Sequence, residues 1–436
     1  MEGGLASLTP RYTGHGMQKF IVTGGVPLRG EVQIAGAKNA VLKLMAAAAL
    51  TDEPCLLTNV PRISDVNTLR DTMADIGFAF RQVAADALEV QATAADWPFV
   101  PLEAAAKMRS SFILLGPMLA RFGRVIISNP GGDRIGRRPV DLHVDAMRAL
   151  GAEMRYKNGY YFAEAPNGLR GATISFPYVT VMGTENAMLA ASLARGTTVI
   201  ENAALEPEVD DLIVMLRAMG AQIERTAPHR LEIDGVDRLH GVEHRVIGDR
   251  LEAGTFAIAA AVTGGEITIR GVDPGHLGAF TDVLAAMGVP FDALDDALRV
   301  RGAEAYRPAD VVTAPYPGFP TDLQAPLAVL MTQAEGESSI DETIYEDRLD
   351  YTMELVKMGA VIEVVDERHA RIVGPTPLHG REVQIADLRA GATLILAALA
   401  AAETSVISGV EHVDRGYEQI ESKLVALGAQ INRIDA

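Results

Sequence analysis

Apolar residues along the chain recur at every third or fourth position and end, six times, in a turn built around glycine. This spacing is that of one face of an α-helix. The turns are separated by roughly 70 residues, a period typical of repeated supersecondary units. The six turns are Ile76-Gly77, Leu150-Gly151, Met219-Gly220, Met287-Gly288, Met358-Gly359 and Leu427-Gly428.

A second helical pattern precedes these amphipathic stretches. It is rich in alanine and apolar on nearly every side, so the helix it predicts must be surrounded by protein. A short turn and a β-branched run follow it, as at residues 196–200. The repeat therefore predicts a unit of strand, buried helix, strand, amphipathic helix and one or two closing strands. Clear examples of the buried helix are residues 39–45, 187–191, 255–259 and 392–396.

Units of this kind place helices at the centre of an α/β (α+β) domain and sheets outside. Six units exceed one hydrophobic core, so we expect two domains of three units each. The first spans residues 38–247, and the second takes residues 248–436 together with residues 18–37. A cleft between them is the expected ligand site. Residues 1–17 are expected to form a flexible extension.

The net charge of -18 argues against nucleic acid as a partner, because a phosphate backbone would be repelled over most of the surface. A small anionic substrate is compatible with this charge if cations are gathered in the cleft. The single cysteine, Cys55, rules out an internal disulfide. We find no apolar stretch of ~18 residues, no secretory signal pattern and no histidine spacing typical of a metal site. We therefore expect a cytoplasmic protein without membrane or metal partners.

One segment departs from the repeat. Residues 129–139 combine glycines, prolines and arginines, which favours a mobile basic loop that closes over an anion. A solvated surface loop is the alternative. Behind this loop, His143 takes an apolar-face position that holds leucine or phenylalanine in sister units. A packed histidine is expected there rather than a catalytic one.

Four motifs, at residues 36–40, 131–143, 319–324 and 412–417, are long and ordered. They resemble the UDP-N-acetylglucosamine enolpyruvyl transferase (MurA) family, and the resemblance extends from Met17 onward. It implies two inside-out α/β barrel-like domains, each of three βαβαββ units, in agreement with the repeat. It also implies transfer of the enolpyruvyl group of phosphoenolpyruvate to the 3-hydroxyl of UDP-N-acetylglucosamine, with release of phosphate. This is the first committed step toward peptidoglycan, and it requires no cofactor.

The resemblance assigns substrate contacts to Lys38 and Asn39, with Arg138 and Arg415 completing a cationic clamp around phosphoenolpyruvate. Arginine suits this role because its planar fork binds phosphate or carboxylate at two points. Arg109 corresponds to a further contact with the nucleotide. From the residues alone, the alternative for Lys38 is a snorkelling surface lysine, and the alternative for Arg109 is a helix cap.

Asp322 is implied as the general base for the sugar hydroxyl, and Ile344 closes the sugar pocket beside it. Nearby prolines stiffen the approach to Asp322, although an aspartate that caps a helix N-terminus explains the same position. Asp387 and Arg389 occupy the equivalent place in the sixth unit. Both are expected on the phosphoenolpyruvate side of the site.

The nucleotide end of the implied site is formed by one stretch beside the loop and a second before a buried helix. In the second stretch the family commonly has Ser-Val-Gly-Ala, and Met182 replaces its glycine. Nucleotide placement is therefore less well defined than the chemistry. The implied nucleotide residues are Arg138, Pro139, Val140, Asp141, Leu142, Thr180 and Val181.

Asp133 departs from the family, most members of which carry cysteine there as the acid that protonates phosphoenolpyruvate. The ordinary carboxyl pKa of ~3.9 lies far below the ~8.5 of a thiol, so burial or substrate binding must raise it. Arg134 would lower this pKa, and we expect Arg134 to face away in the closed state. Fosfomycin alkylates the family's thiol, so this chain should resist the drug. Cys55 lies in an apolar strand and cannot substitute.

Two other functions remain open from the sequence. One is an enolpyruvyl transferase for another nucleotide acceptor, which the change at Met182 allows. Shikimate fits less well, because the loop and residues 319–324 match the sugar-nucleotide branch. The other is a non-catalytic paralogue that binds a sugar nucleotide, although every charged position that the family uses is filled.

Overall fold

The computed structural model of the protein describes residues 18–92, 98–132, 135–136 and 138–435. The extension expected at residues 1–17 lies outside the described residues, as do Asp133 and Arg134 of the loop.

The described chain alternates strands with helices. The strands are β1 (Gln18–Thr23), β2 (Arg29–Gln33), β3 (Cys55–Thr58), β4 (Phe78–Ala84), β5 (Ala87–Ala92), β6 (Phe99–Val100), β7 (Arg124–Ser128), β8 (Glu153–Lys157), β9 (Tyr160–Glu164), β10 (Thr173–Ser175), β11 (Thr197–Glu201), β12 (Gln222–Ala227), β13 (Arg230–Asp234), β14 (Glu243–Arg245), β15 (Glu266–Arg270), β16 (Phe291–Leu294), β17 (Ala297–Arg301), β18 (Asp310–Val312), β19 (Gly336–Asp341), β20 (Val361–Val364), β21 (His369–Gly374), β22 (Glu382–Gln384), β23 (Thr404–Ser408) and β24 (Gln430–Asp435). The α-helices are α1 (Lys38–Ala47), α2 (Ser64–Asp75), α3 (Leu102–Lys107), α4 (Leu115–Phe122), α5 (Asp141–Ala149), α6 (Val181–Ala191), α7 (Pro207–Ala218), α8 (Arg250–Val262), α9 (Gly278–Met287), α10 (Thr321–Met331), α11 (Tyr351–Lys357), α12 (Leu388–Ala400) and α13 (Ile420–Ala426). Short 3₁₀ segments span Ala48–Leu50, Arg109–Leu114, Pro274–Leu277 and Val410–Arg415.

Within the described residues, six four-stranded sheets share one pattern of strand order. In each sheet a parallel pair at one edge is followed by two antiparallel pairings, as in β10, β11, β13 and β12. Three sheets are completed from distant parts of the chain: β14 pairs with β3, β2 pairs with β15, and β1 lies between β23 and β24. The predicted repeat of strand, helix, strand, helix and two strands is confirmed. The other orders are β14-β3-β5-β4, β6-β7-β9-β8, β16-β17-β15-β2, β18-β19-β21-β20 and β22-β23-β1-β24.

The glycine of each predicted turn adopts a positive φ. The six φ values lie between 85° and 105°, in the left-handed region that glycine enters without steric cost. Each glycine follows the end of an amphipathic helix by one or two residues, so the helices end where the sequence predicts. These residues are Gly77, Gly151, Gly220, Gly288, Gly359 and Gly428.

The apolar helices lie at the centre of the fold and the strands outside. Twelve consecutive residues of α8 and twelve of α12 are buried, and α8, α10 and α12 contact one another. Along β11, by contrast, buried residues alternate with more exposed ones, because one face of each sheet meets water. The second unit differs from the others: its buried helix begins as the 3₁₀ segment Arg109–Leu114 and continues into α4.

In the part of the chain that the structure describes, buried apolar side chains form two separate hydrophobic cores. The first core contains residues between Ala37 and Val246. The second contains residues from Phe20 to Ile34 and from Leu251 to Ile431. Each core is covered by three of the six sheets.

Leu394→Ala in α12 should destabilise the protein strongly. Leu394 is fully buried, and truncation of a packed leucine costs about 2–5 kcal/mol because a cavity remains. The matched control is Val425→Ala on α13, where the side chain is 51% exposed; its effect should stay within about 0.5 kcal/mol. Urea unfolding followed by circular dichroism measures both. Equal losses would show that α12 is not the packed centre of the second core.

Candidate active site

A cavity of about 860 Å³ lies between the two cores. The N-terminal ends of six buried helical segments meet at its wall. The first turn of a helix has N–H groups without intrahelical acceptors and carries partial positive charge, so these ends favour anions. The lining residues at these ends are Lys38 and Asn39 (α1), Arg109 and Ser110 (the 3₁₀ segment before α4), Thr180, Val181 and Met182 (α6), Arg250 and Leu251 (α8), Thr321 and Asp322 (α10), and Leu388 and Arg389 (α12).

Cations outnumber carboxylates in the described wall of this cavity. Eight lysines and arginines line it against six carboxylates, although the chain as a whole carries a net charge of -18. A cleft of this kind concentrates small anions from solution. The cations are Lys38, Lys43, Arg109, Arg138, Arg250, Arg348, Arg389 and Arg415, and the carboxylates are Asp65, Glu206, Glu208, Asp322, Glu346 and Asp387.

Lys38 and Arg415 share one carboxylate. Lys38 Nζ lies 2.8 Å from Asp65 Oδ2, and Arg415 Nε donates to Asp65 Oδ1 at 3.0 Å. Lys38 is 9% exposed, so the alternative of a snorkelling surface lysine is wrong. Burial lowers the pKa of Lys38, while the charge of Asp65 opposes that shift. Asp65 therefore holds one cation from each side of the cavity.

Asp322 lies between two arginines. Arg348 Nη2 donates to Asp322 Oδ1 at 2.6 Å, and Arg389 donates to Oδ2 through Nη2 at 2.8 Å and Nε at 3.0 Å. Burial alone would raise the pKa of Asp322, but the charges of Arg389 and Arg348 outweigh it and hold the pKa far below its ordinary value. The carboxyl is therefore ionised at neutral pH. Pro320 is the N-cap residue of α10, so the alternative that Asp322 is the cap is wrong.

Arg389 is also held on its other side. Its Nη1 donates to Tyr417 Oη at 2.9 Å, and that oxygen lies 2.9 Å from Thr255 Oγ1. The side chain of Asp387 caps α12 by accepting from the backbone N–H of Arg389 at 2.8 Å. Asp387 and Arg389 thus begin the helix that carries the guanidinium to Asp322.

At its end, the described part of the loop lies close to Tyr345 and Glu346 from the second half of the chain. At Gly136, where φ is 118°, an added Cβ would stand 2.5 Å from Glu346 Oε2, so a larger residue would collide there. The guanidinium carbon of Arg138 lies 6.0 Å from the centre of the Tyr345 ring. Because Asp133 and Arg134 lie outside the described residues, the orientation expected for Arg134 stays a prediction.

Most of the implied nucleotide residues line the same cavity. Thr180 and Val181 lie at the start of α6, with Met182 beside them in the first turn. Val140 and Asp141 instead line an adjoining cavity of about 910 Å³, which shares Arg109, Arg138 and Pro139 with the first. Pro139, Leu142, Ile344 and Asn39 also line the first cavity. Arg109 Nη2 donates to Pro139 O at 3.2 Å and so supports this stretch.

Several cavity residues were not found from the sequence. Asp65 looks like an ordinary acidic residue in the first turn of α2, and nothing in its neighbours indicates two cationic partners. Arg348 lies in a segment without a motif, and only the folded chain brings it to Asp322. The pair of Arg250 Nε and Glu208 Oε1, 3.0 Å apart, likewise joins residues 42 positions apart.

The family model of EPSP synthase (3-phosphoshikimate 1-carboxyvinyltransferase) matches residues 22–424. The chain belongs to this family. It is 47% identical over 420 residues to the UDP-N-acetylglucosamine 1-carboxyvinyltransferase of Dinoroseobacter shibae, with 96% of this chain and 99% of that protein covered. The protein of the same name from Gluconacetobacter diazotrophicus is 47% identical over 420 residues, with 96% and 100% covered.

Solved structures carry the same fold. The enolpyruvyl transferase NikO from Streptomyces tendae matches with a TM-score of 0.88 and 28% identity, covering 97% of this chain and 100% of that chain. EPSP synthase from Acinetobacter baumannii matches with a TM-score of 0.73 and 18% identity, covering 96% and 100%, which shows the fold alone. The enolpyruvyl transferase fold that the resemblance implies, and with which the repeat agrees, is confirmed.

Two further side chains bear on chemistry in this EPSP synthase family member. Cys55 is fully buried on β3, and burial raises the pKa of its thiol to about 11, so it is a poor nucleophile. His143 is 4% exposed and packed, as expected, but it also lines the cavity.

Among the described residues, no group of three histidine, cysteine or acidic side chains is placed to hold a metal ion. In the same part of the chain, no helix has the length and apolar character needed to cross a bilayer.

Asp322→Asn should lower stability and make it depend on phosphate. Removing one partner of a buried ion pair costs about 3–5 kcal/mol, and the 23% exposure of the Asp322 side chain places the loss toward the lower end. Because the folded-state pKa is depressed, the loss is fully present above about pH 4 and shrinks below it. Inorganic phosphate should restore part of the melting temperature by occupying Arg348 and Arg389.

The matched control is Asp414→Asn, which breaks the pair of Asp414 Oδ1 and Arg433 Nη2, 2.7 Å apart, outside the cavity. Its melting temperature should fall without recovery in phosphate. Equal phosphate responses in both variants, measured by differential scanning calorimetry, would contradict anion binding at the two arginines.

Proposed function

We propose that the protein transfers the enolpyruvyl group of phosphoenolpyruvate to the 3-hydroxyl of UDP-N-acetylglucosamine and releases phosphate. The observation that carries this proposal is Asp322 placed between Arg348 and Arg389 at the wall of a cation-rich cavity. A base and phosphate-binding groups then lie at one point, as the reaction requires. Relatives that are 47% identical over nearly the whole chain bear the name of this activity.

The cations would act first by binding phosphoenolpyruvate. Lys38, Arg415 and Arg389 line the cavity together with Arg138 from the loop. In the structure Lys38 and Arg415 are paired with Asp65, so an incoming phosphate or carboxylate would compete with that side chain. Two anionic substrates are thus held by groups that are otherwise neutralised by protein carboxylates.

Asp322 would act as general base only once phosphoenolpyruvate is bound. With Arg389 and Arg348 both in place its pKa is too low for efficient proton abstraction. A phosphate that draws Arg389 away removes the largest charge effect on Asp322 and raises that pKa. The base is then activated in the complex in which the sugar hydroxyl must lose its proton.

Asp133 would supply the proton to the methylene carbon of phosphoenolpyruvate, in the place where the family's cysteine acts.

The sugar would lie beside Asp322, Asn39 and Ile344. The nucleotide would extend toward Thr180 and Val181 on one side and the stretch beside the loop on the other. That stretch comprises Arg138, Pro139, Val140, Asp141 and Leu142.

We further propose that the two cores are two domains, at residues 38–247 and at residues 18–37 with 248–436. The crossing of β1 and β2 into the second core supports these boundaries. The same proposal places the protein in the cytoplasm at the first committed step of peptidoglycan synthesis, where both substrates are available to it.

Purified protein should release phosphate only when phosphoenolpyruvate and UDP-N-acetylglucosamine are both present. Asp322→Ala should lower kcat by about 10²–10⁴-fold, the usual contribution of a general base. Release with a different nucleotide acceptor but not with the sugar nucleotide would favour the alternative acceptor. Binding of both substrates without turnover would indicate a non-catalytic paralogue.

Fosfomycin should not inactivate the protein over time, because a carboxylate at position 133 is a poor nucleophile and Cys55 is buried. Asp133→Cys should gain time-dependent inactivation, and Cys55→Ala should leave the response of the parent protein unchanged. Rapid inactivation of the parent protein, with a mass increase on any residue, would refute this expectation.

A further inference from the structure

His143 is the one cavity-lining histidine among the described residues, and its inner contacts fix which ring nitrogen carries the proton. The ring lies edge-on to Phe112, with centroids 5.4 Å apart. Its Nδ1 lies 3.1 Å from Asn186 Nδ2. Whether Nδ1 donates or accepts depends on the orientation of the Asn186 amide.

Gly116 settles that orientation. Its backbone N–H donates to Asn186 Oδ1 at 2.6 Å, which requires an oxygen, not an NH₂ group, at that place. The approach depends on glycine, because a Cβ at position 116 would lie 2.4 Å from the backbone oxygen of Asn186 and 2.5 Å from Oδ1. The amide of Asn186 is therefore held in one of its two orientations.

The two hydrogens of the Asn186 NH₂ group then have defined acceptors. One is donated to Phe112 O at 2.9 Å and the other to His143 Nδ1. His143 Nδ1 must accept, so the proton of the neutral ring is on Nε2. Burial and the charge of Arg109 lower the pKa of His143 to about 3, which keeps the ring neutral at physiological pH.

The Nε2–H group has no hydrogen-bond partner in the part of the chain that the structure describes, and His143 lines the cavity. The wall of the same cavity contains Arg109, whose charge acts on His143, and the first turn of α6, whose leading N–H groups lack helical acceptors. A neutral donor, a guanidinium and a helix N-terminus together suit an anionic oxygen rather than a base or a sugar hydroxyl.

We propose that His143 donates a hydrogen bond from Nε2 to a phosphate oxygen of the nucleoside diphosphate in the acceptor substrate, and that Asn186 and Gly116 hold the ring in the tautomer that can do so. This inference rests on the proposed function for the identity of the acceptor. His143 is then both a packed residue and a binding residue, and its contribution does not vary with pH between about 5 and 9.

Two variants of His143 test the contributions of Nδ1 and Nε2 separately. His143→Gln places an amide donor near the position of Nε2, whereas His143→Asn keeps a polar group near Nδ1 and loses the donor toward the cavity. UDP affinity, measured by calorimetry, should fall about tenfold to a hundredfold in His143→Asn, the range for a hydrogen bond to a charged group. His143→Gln should retain most of the affinity, and uridine should bind all three proteins alike. Equal losses in both variants, or equal effects on uridine, would overturn the proposal.

A measurement on the parent protein does not depend on the folding of any variant. In ¹⁵N-histidine-labelled protein, NMR should show one neutral histidine with a protonated Nε2 that remains neutral at pH 5 and whose signal shifts when UDP is added. A ring protonated at Nδ1, or one that becomes charged by pH 5, would refute the tautomer. If UDP binding behaves as expected but no phosphate is released from phosphoenolpyruvate, the proposed function fails and this assignment stands.

Discussion

Convergence of six helix N-termini on one cavity is the constraint on which the rest of the structure depends. Each repeated unit buries one apolar helix, and a helix without a polar face can lie only at the centre of a core. The polar groups of such a helix are then confined to its ends, and the N-terminal ends of all six meet where the two cores face each other. The site is therefore a product of the repeat itself, and the side chains at the first turn of each helix give it its chemistry.

Before a ligand binds, two pairs of cations in this cavity are each neutralised by a shared carboxylate. Asp65 holds Lys38 with Arg415, and Asp322 holds Arg348 with Arg389. Each carboxylate offsets the repulsion between two buried cations, which a folded protein could not otherwise keep so close. An anionic ligand that binds here replaces a protein carboxylate as the partner of these cations, so one set of ion pairs is exchanged for another and no new charge separation is created. The displaced carboxylate loses its cationic neighbours, and its pKa rises.

The fold was predictable from the sequence because its signals are local and repeated. The glycine turns recur six times and end the helices as predicted, and the four alanine-rich stretches fall within α1, α6, α8 and α12. The site was predictable only in part. Lys38 and Asp322 were expected in the cavity, but the roles of Asp65 and Arg348 depend on which distant elements pack together. The tautomer of His143 depends on a glycine 27 residues away and on an asparagine 43 residues away, and no local pattern reports such a chain of contacts.

The placement of β1 between β23 and β24 has a consequence for synthesis on the ribosome. Thr23 pairs with Thr404, 381 residues further on. At typical elongation rates of about 5–20 residues per second, β1 waits roughly 20–80 s for its partner strands. All of the first core is translated during that interval, so this half can finish folding while the first strand is still unpaired. An unpaired strand invites association with other nascent chains, and the short, single-strand length of β1 limits that hazard.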